Sequence, residues 1–433
     1  MACRLTHFRT MFNYGEEVGR STMKEVLEQA LKAQERDLCD HCLGRPFAHV
    51  GTGTTDERRG AELRSLINED RAARGLGPMV HSRCSVCDEI FDQVPRFAEA
   101  VALKLQDVQF DSFLVGTRVD PVVQAREEEL WSVVGQEHAE PIKSELNREI
   151  GKAVFELNKK DVDFKSPQVV ALIDTRFAHV ELDVAPLFIY GRYRKLSREI
   201  PQTKWPCRVC QGKGCPRCGN TGKMYQTSVQ EQIGDIILPY AKAKEHFFHG
   251  MGREDIDAVM IGNGRPFVIE ISTPVIRSLD LPALEREING KCQGMVEVEG
   301  LRPSSREEVR QVKDATPDKE YRVQVSIHGK VNKERVDEVL RTFNRTRIVQ
   351  RTPIRVAHRR ADLKRERYIV YVVLEEFQED RMTLRLRTES GTYVKEFVHG
   401  DEGRTEPNLS EMLGVSCTVD SLDVIGIIDS KEV

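Results

Sequence analysis

The sequence predicts an α+β protein of two domains: a zinc-containing α/β module, then a half built on a large mixed, mostly antiparallel sheet. Three observations carry this expectation. Eight of the 11 cysteines fall into CxxC pairs, a stretch rich in Gly, Pro and Cys at 201–224 interrupts the chain, and long alternating apolar runs follow it. With 433 residues and 39% hydrophobic content, the chain exceeds one ordinary core and has apolar material for more. The expected division is an irregular extension at 1–22, a zinc-binding α/β domain at 23–200, a Cys/Gly-rich linker at 201–224 and a second domain at 225–433.

Taken in order, residues 1–22 carry no clear element, and Met11 and Met23 could each be alternative starts. A helix begins at Thr22, where Met23, Val26, Leu27, Ala30 and Leu31 keep helical spacing and Thr22 with Glu25 makes a capping-box pattern. Between the first two cysteine pairs, a glycine-rich loop leads into a helix with Ala61, Leu63, Leu66 and Ile67 on its apolar side. A strand at 112–119, a helix at 143–158, the strand VVALIDT and the strand AHVELDV leading to LFIYGRYRKL then fit a small α/β RNA-reading module ahead of an enzyme. Past the linker, GREDID precedes a strand-turn-strand reading of AVMIGNGRPFVIEI and places the short-tethered carboxylate of Asp255 at the mouth of a hairpin. YRVQVSIHG, RYIVYVVLEEF and MTLRLRTES alternate as strands of the large sheet, and 333–344 reads as a helix packed against it. The chain has no fixed-period repeat or low-complexity tract.

Net charge is only −4, so any nucleic-acid surface must be local. No apolar run reaches the roughly 18 to 20 residues of a membrane span, and Arg4, Arg9 and Glu16 break up the N-terminal apolar residues where a signal core would lie. A cytoplasmic protein is expected, and there paired cysteines favour zinc over disulfides. Two residues between cysteines turn both thiolates toward one tetrahedral ion, and two such turns close a four-thiolate site. Cys39, Cys42, Cys84 and Cys87 form the preferred structural site. Cys207, Cys210, Cys215 and Cys218 lie within twelve residues and resemble the glycine-rich turns of a chaperone-type finger. A second zinc and a flexible linker with reduced thiols both fit that spacing. The isolated Cys3, Cys292 and Cys417 read as small apolar residues.

Between Arg341 and Arg367, ten Lys or Arg stand against Asp362 and Glu366. Within this stretch QRTPIRVAHRR projects Arg351, Arg355, Arg359 and Arg360 from proline-interrupted backbone. A charge run is ordinarily a solvated face, but so large a local excess on an acidic chain suits phosphate contact.

GREDID, GNGRPF, KEYRVQV, QRTPIRVAHRR and SGTYVKEFVHGDEGRTEPNL, in this order, resemble the archaeal and eukaryotic tRNA pseudouridine synthase family that acts on T-loop uridines 54 and 55. The resemblance runs from about residue 30 to the end and includes the first two CxxC pairs and an N-terminal region similar to a THUMP domain. Each motif alone is weak; their joint occurrence is specific. The resemblance implies that Asp255 is the catalytic aspartate. The reaction breaks the N-glycosidic bond, turns the uracil and rejoins it through C5, which needs a nucleophile or charge stabiliser beside the ribose and no redox or organic cofactor. Attack at C1′, attack at C6 and assistance through a glycal all remain open. Tyr321 would lie against the flipped uracil, Tyr393 would line the base pocket, and Lys395 would pair with Asp255 and keep it ionised. Arg253 would reach phosphate or fill the gap left by the flipped nucleotide. Distant pseudouridine synthases often carry arginine in place of Lys395, so the charge is kept here and the bidentate geometry is lost. The implied partner is tRNA, held at its T arm and acceptor end by a monomer away from membranes, with zinc in a structural role.

Two other classes compete. A non-catalytic zinc-containing tRNA-binding protein explains the cysteines and the basic segment, but not the ordered aspartate, tyrosine and lysine motifs. Another THUMP-containing tRNA-modifying enzyme, a methyltransferase or thiolation enzyme, needs a cofactor loop between strand and helix, a context that GTGTTD and GNGRPF lack.

Overall fold

The computed structural model describes residues 20–50, 53–358 and 361–428. It divides into two compact units between Ala185 and Pro186. Nearly all of the 1–22 extension lies outside the described residues. The helix that follows is Arg20–Leu31, so Thr22 stands within it and does not cap it.

In the N-terminal unit, β1 (Ser112–Arg118), β2 (Asp161–Val162), β3 (Val169–Asp174) and β4 (His179–Val184) form a sheet in the order β2-β1-β3-β4. β1 is parallel to β2 and β3, and β4 is antiparallel to β3. Parallel neighbours need a crossover, supplied here by the helices Pro121–Val134 and Ile142–Asn158. Strict alternation buries Phe113 and Val115 of β1 with Val169, Ala171 and Ile173 of β3. They join one core with the helices Val94–Leu105 and Ile142–Asn158. In the helix Asp56–Ala73, Leu63 and Ile67 are buried as the spacing predicts, but Ala61 is exposed and Gly60 is buried. The helix approaches so closely there that a Cβ at Gly60 would strike the Asp40 carbonyl.

The C-terminal unit is built on ten strands: β5 (Leu187–Lys195), β6 (Glu245–Gly250), β7 (Val259–Ser272), β8 (Val296–Ser304), β9 (Asp318–His328), β10 (Thr346–Arg351), β11 (Lys364–Phe377), β12 (Arg381–Thr388), β13 (Thr405–Glu406) and β14 (Ser416–Ile428). Their order is β13-β10-β11-β12-β9-β14-β7-β5-β8, with β6 also paired to β7. All pairings are antiparallel except β14 with β7, where Asp423 and Val424 lie beside Val259 and Met260. This parallel seam sets the start of β7, and the loop before it, next to β14 and β9. The helices Val229–Ala241, Leu281–Lys291 and Lys333–Thr342 close the core with Ile233, Ile237, Leu284, Ile288, Val336 and Leu340. No helix of the described residues is long and apolar enough to cross a membrane.

Two sequence expectations need correction. LFIYGRYRKL was expected to belong to the N-terminal domain, yet β5 pairs with β7 and β8 in the C-terminal sheet. The segment 201–224 is therefore an insertion within the C-terminal unit and not a linker between domains. Alternation marks a strand but does not say which sheet it joins. AVMIGNGRPFVIEI is also not a hairpin: β7 continues through it, with a bulge between Met260, opposite Lys195, and Arg265, opposite Tyr193. Gly262 and Gly264, at φ +64 and +67, permit the bulge, and a Cβ at Gly262 would clash with the Ile425 carbonyl.

Candidate active site

The loop 251–258 between β6 and β7 is pinned by its carbonyls. Arg265 donates to the Met251 carbonyl at 2.8 Å and Gln202 to the Gly252 carbonyl at 2.9 Å. Lys195, at the end of β5 and fully buried, donates to the carbonyls of Ile256 at 2.7 Å and Ile200 at 3.1 Å. Burial lowers its pKa to about 8, against the pull of Glu254 and Asp257.

The loop's acids divide by direction. Glu254 turns inward, pairs with the buried Arg265 at 2.9 Å and accepts from the Tyr193 hydroxyl at 2.9 and 3.0 Å. Burial, reinforced by the Glu254 charge, raises the Tyr193 pKa well above its ordinary value, so the phenol keeps the proton it donates. Asp255 and Asp257 turn outward, with side chains 38% and 67% exposed. Asp255 enters a cleft of about 490 Å³ whose lining includes Arg253, Lys319, Tyr321, Arg355, Tyr393 and Lys395.

The cation on Asp255 is not the one expected. Arg355 Nη1 lies 3.0 Å from Asp255 Oδ2, while its Nε donates to Glu396 Oε1 at 2.7 Å. Lys395 Nζ instead donates to Asp257 Oδ2 at 2.7 Å. Burial tends to raise the Asp257 pKa, but the Lys395 hydrogen bond and charge, with a backbone hydrogen bond and the Arg355 charge, together make the net shift downward. The helix Val394–His399 turns the neighbours Lys395 and Glu396 in different directions: Glu396 is buried and holds Arg355, and Lys395 reaches the outer aspartate. Sequence order alone cannot distinguish two carboxylates separated by one residue.

Tyr321, on β9, is buried, and burial pushes its pKa up to about 12, with the nearby Asp255 charge adding to the shift and Arg265 opposing it. Lys319 stands two residues earlier on the same face of β9. Its ammonium is buried, donates to Ser390 Oγ at 3.4 Å and makes no ion pair among the described residues. Burial and then the Arg265 charge lower its pKa to about 8, partly offset by Glu254.

Of the other predicted arginines, Arg351 pairs with Asp362 at 2.7 Å, and Arg253 lies over the Trp205 ring, 5.5 Å from its centroid. Arg359 and Arg360 lie outside the described residues. The sequence reading missed Tyr193, Lys195, Gln202, Glu254, Arg265, Lys319 and Glu396. A signal existed for Lys195: it shares the buried parity of β5 with Ile189, Gly191 and Tyr193, where a charge is out of place.

Both cysteine tetrads suit a tetrahedral ion. In each, the four sulfurs lie within 4.8 Å of one another, close to the ~3.8 Å spacing that zinc–sulfur bonds of about 2.3 Å require. Cys39 and Cys87 are 3.5 Å apart, and Cys207–Cys215 and Cys210–Cys218 are each 3.9 Å apart. In the second set, the backbone N–H groups of Gly214 and Gly222 donate to Cys210 and Cys218 Sγ, each at 3.2 Å, as they would to thiolates. This cluster is a folded knuckle and not a loose linker.

Residues 188–428 match the family model "Pus10, C-terminal", and residues 97–174 match "Pus10 THUMP domain, archaeal". The chain is thus of the pseudouridine synthase class, with a THUMP domain ahead of the synthase fold. Among its relatives, the tRNA pseudouridine synthase Pus10 of Methanothrix thermoacetophila is 41% identical over 90% of this chain and 91% of its own. The Methanopyrus kandleri protein of the same name is 40% identical over 94% and 99%. A solved Cbf5-Nop10-Gar1 complex aligns over 43% of this chain and 42% of its own at 19% identity, with a TM-score of 0.28. The chain belongs to the Pus10 family of tRNA pseudouridine synthases.

Proposed function

We propose that the chain isomerises uridine to pseudouridine at positions 54 and 55 of the tRNA T loop, with Asp255 acting as nucleophile on a nucleotide flipped out of its stack. The observation that carries this reading is the cleft, where one outward carboxylate, held by Arg355, shares a lining with Tyr321 and Tyr393. Attack at C1′, attack at C6 and assistance through a glycal all need an ionised carboxylate against the flipped nucleoside, at its sugar or at its base. Arg355 Nη1 sets a positive charge 3.0 Å from Asp255 Oδ2, and the buried Glu396 holds Arg355 in place. Tyr321, protonated at neutral pH, offers its ring to the base and its hydroxyl as a donor.

Extruding the nucleotide costs a few kcal/mol, which remote contacts offset. Arg253 at the cleft, together with Arg351, Arg359 and Arg360 of the basic segment, supplies phosphate contacts, and the THUMP-containing unit grips the acceptor end. The enzyme works as a monomer in the cytoplasm. Tritium release from tRNA labelled at uridine C5, followed by mapping of the product, tests the reading; pseudouridine at neither T-loop position would overturn it.

Lys319 adds a cation at the cleft floor, aimed at a carbonyl oxygen of the detached uracil, whose negative charge is spread onto its oxygens. Its ammonium persists below about pH 8 and is lost above, and Lys195 titrates in the same range. The single-turnover rate should therefore fall as pH rises through 8. A rate flat to about pH 9.5, beyond both lowered values, would refute this assignment.

Both tetrads hold structural zinc: Cys39, Cys42, Cys84 and Cys87 in the N-terminal unit, and Cys207, Cys210, Cys215 and Cys218 in the C-terminal one. Metal analysis of the purified chain should give about two zinc ions, one per closed four-thiolate site. A content below about one would remove at least the second site.

A further inference from the structure

The cysteine knuckle is fixed to the loop that carries Asp255. Gln202 ties its base to the Gly252 carbonyl at 2.9 Å. Trp205 packs beneath the Arg253 guanidinium and edge-on to Tyr225, 5.6 Å between ring centroids. A bridge between Pro206 and Lys223, with Met224 N–H donating to the Trp205 carbonyl at 2.9 Å, closes the base. The knuckle's placement is therefore set relative to Asp255, two residues past Arg253.

Its charge is opposite to that of the chain. From Ile200 to Gln230 there are five Lys or Arg and no Asp or Glu, on a protein of net charge −4. A zinc held by four thiolates is net anionic but does not cancel five cations. Lys204, Arg208, Lys213 and Arg217 are exposed and form no ion pair among the described residues, whereas Lys223 pairs with Glu231. Arg208 and Arg217 line a groove of about 530 Å³ with the exposed Val209 and Met224 and with Tyr225. Unneutralised guanidinium groups beside an apolar and aromatic wall match a single nucleic-acid strand, with phosphates on the cations and a base against the wall.

We infer that the knuckle at 201–226 is an RNA-contacting surface that takes the phosphate backbone flanking the nucleotide drawn into the Asp255 cleft. The inference rests on the reading of that cleft as a tRNA site. Because the contacts are to backbone, they hold the strand without reading its sequence.

The test is the full-length triple variant Arg208→Glu, Lys213→Glu, Arg217→Glu, bound to an unmodified tRNA transcript over a range of salt concentrations. Metal content and thermal unfolding should match wild type, since all three side chains are exposed. The dissociation constant at low salt should rise about 10- to 100-fold, and the slope of log K against log salt should fall by about 2 to 3. The doubly conservative variant Arg208→Lys, Arg217→Lys should keep most of the slope. Affinity and slope equal to wild type in the triple variant would overturn the inference, including the case in which the knuckle serves an acidic protein partner. Should wild type bind tRNA but form no pseudouridine, the proposed chemistry fails, while the salt slope still decides the role of the knuckle.

Discussion

Asp255→Asn is expected to lower pseudouridine formation by at least about 10⁴-fold, the scale of losing a covalent nucleophile, while tRNA affinity stays near wild type. The amide preserves the shape of the side chain and removes its charge and its nucleophilic oxygen. Single-turnover tritium release and filter binding on the same preparation separate the two quantities; activity within about tenfold of wild type would end the assignment of Asp255. The ion pairs make a further, ordered expectation. Arg355→Met should cost more than Lys395→Met, about 10²-fold against less, because Arg355 touches Asp255 and Lys395 touches Asp257. The reverse ranking would mean that Lys395 takes over Asp255 when RNA is bound.

Glu254→Gln is expected to destabilise the C-terminal unit by about 3 to 5 kcal/mol, the cost of stripping one partner from a buried ion pair. Arg265 and Glu254 have side chains only 1% exposed, 2.9 Å apart. Without the carboxylate, the Arg265 guanidinium is left uncompensated near the buried Lys319 ammonium, and Tyr193 loses its charged acceptor. Denaturant unfolding of the full chain measures the loss. The double variant Glu254→Met, Arg265→Met should recover much of it, since replacing both members removes the stranded charge. A loss below about 1 kcal/mol for Glu254→Gln would show that the pair does not anchor the loop.

Much of the fold was legible because short-range periodicity carries it. β1, β3, β4, β9 and β12 lie where alternation predicts them, and the helix Ile142–Asn158 falls within one residue of its sequence reading. A residue's choice between strand and helix depends largely on neighbours a few positions away. The tetrads were legible for a similar reason: CxxC spacing confines two sulfurs to one turn, and folding had only to bring two turns together. The motif residues Asp255, Tyr321, Tyr393 and Lys395, and Arg355 from the basic segment, line a single cleft.

What sequence by itself determined, then, is the set of local elements, the cysteine turns and the family that the ordered motifs mark. Tertiary structure decided the sheet that β5 joins, the bulge in place of a hairpin at Gly262 and Gly264, and the cation that serves Asp255. Arg355 and Asp255 are 100 positions apart, and Lys395 and Asp257 are 138 apart. Each pairing is one of several that charge alone would allow. The selection falls to strand register and to the Glu254–Arg265 anchor, because an ion pair in a partly buried cleft forms only where the backbone brings its two ends within reach.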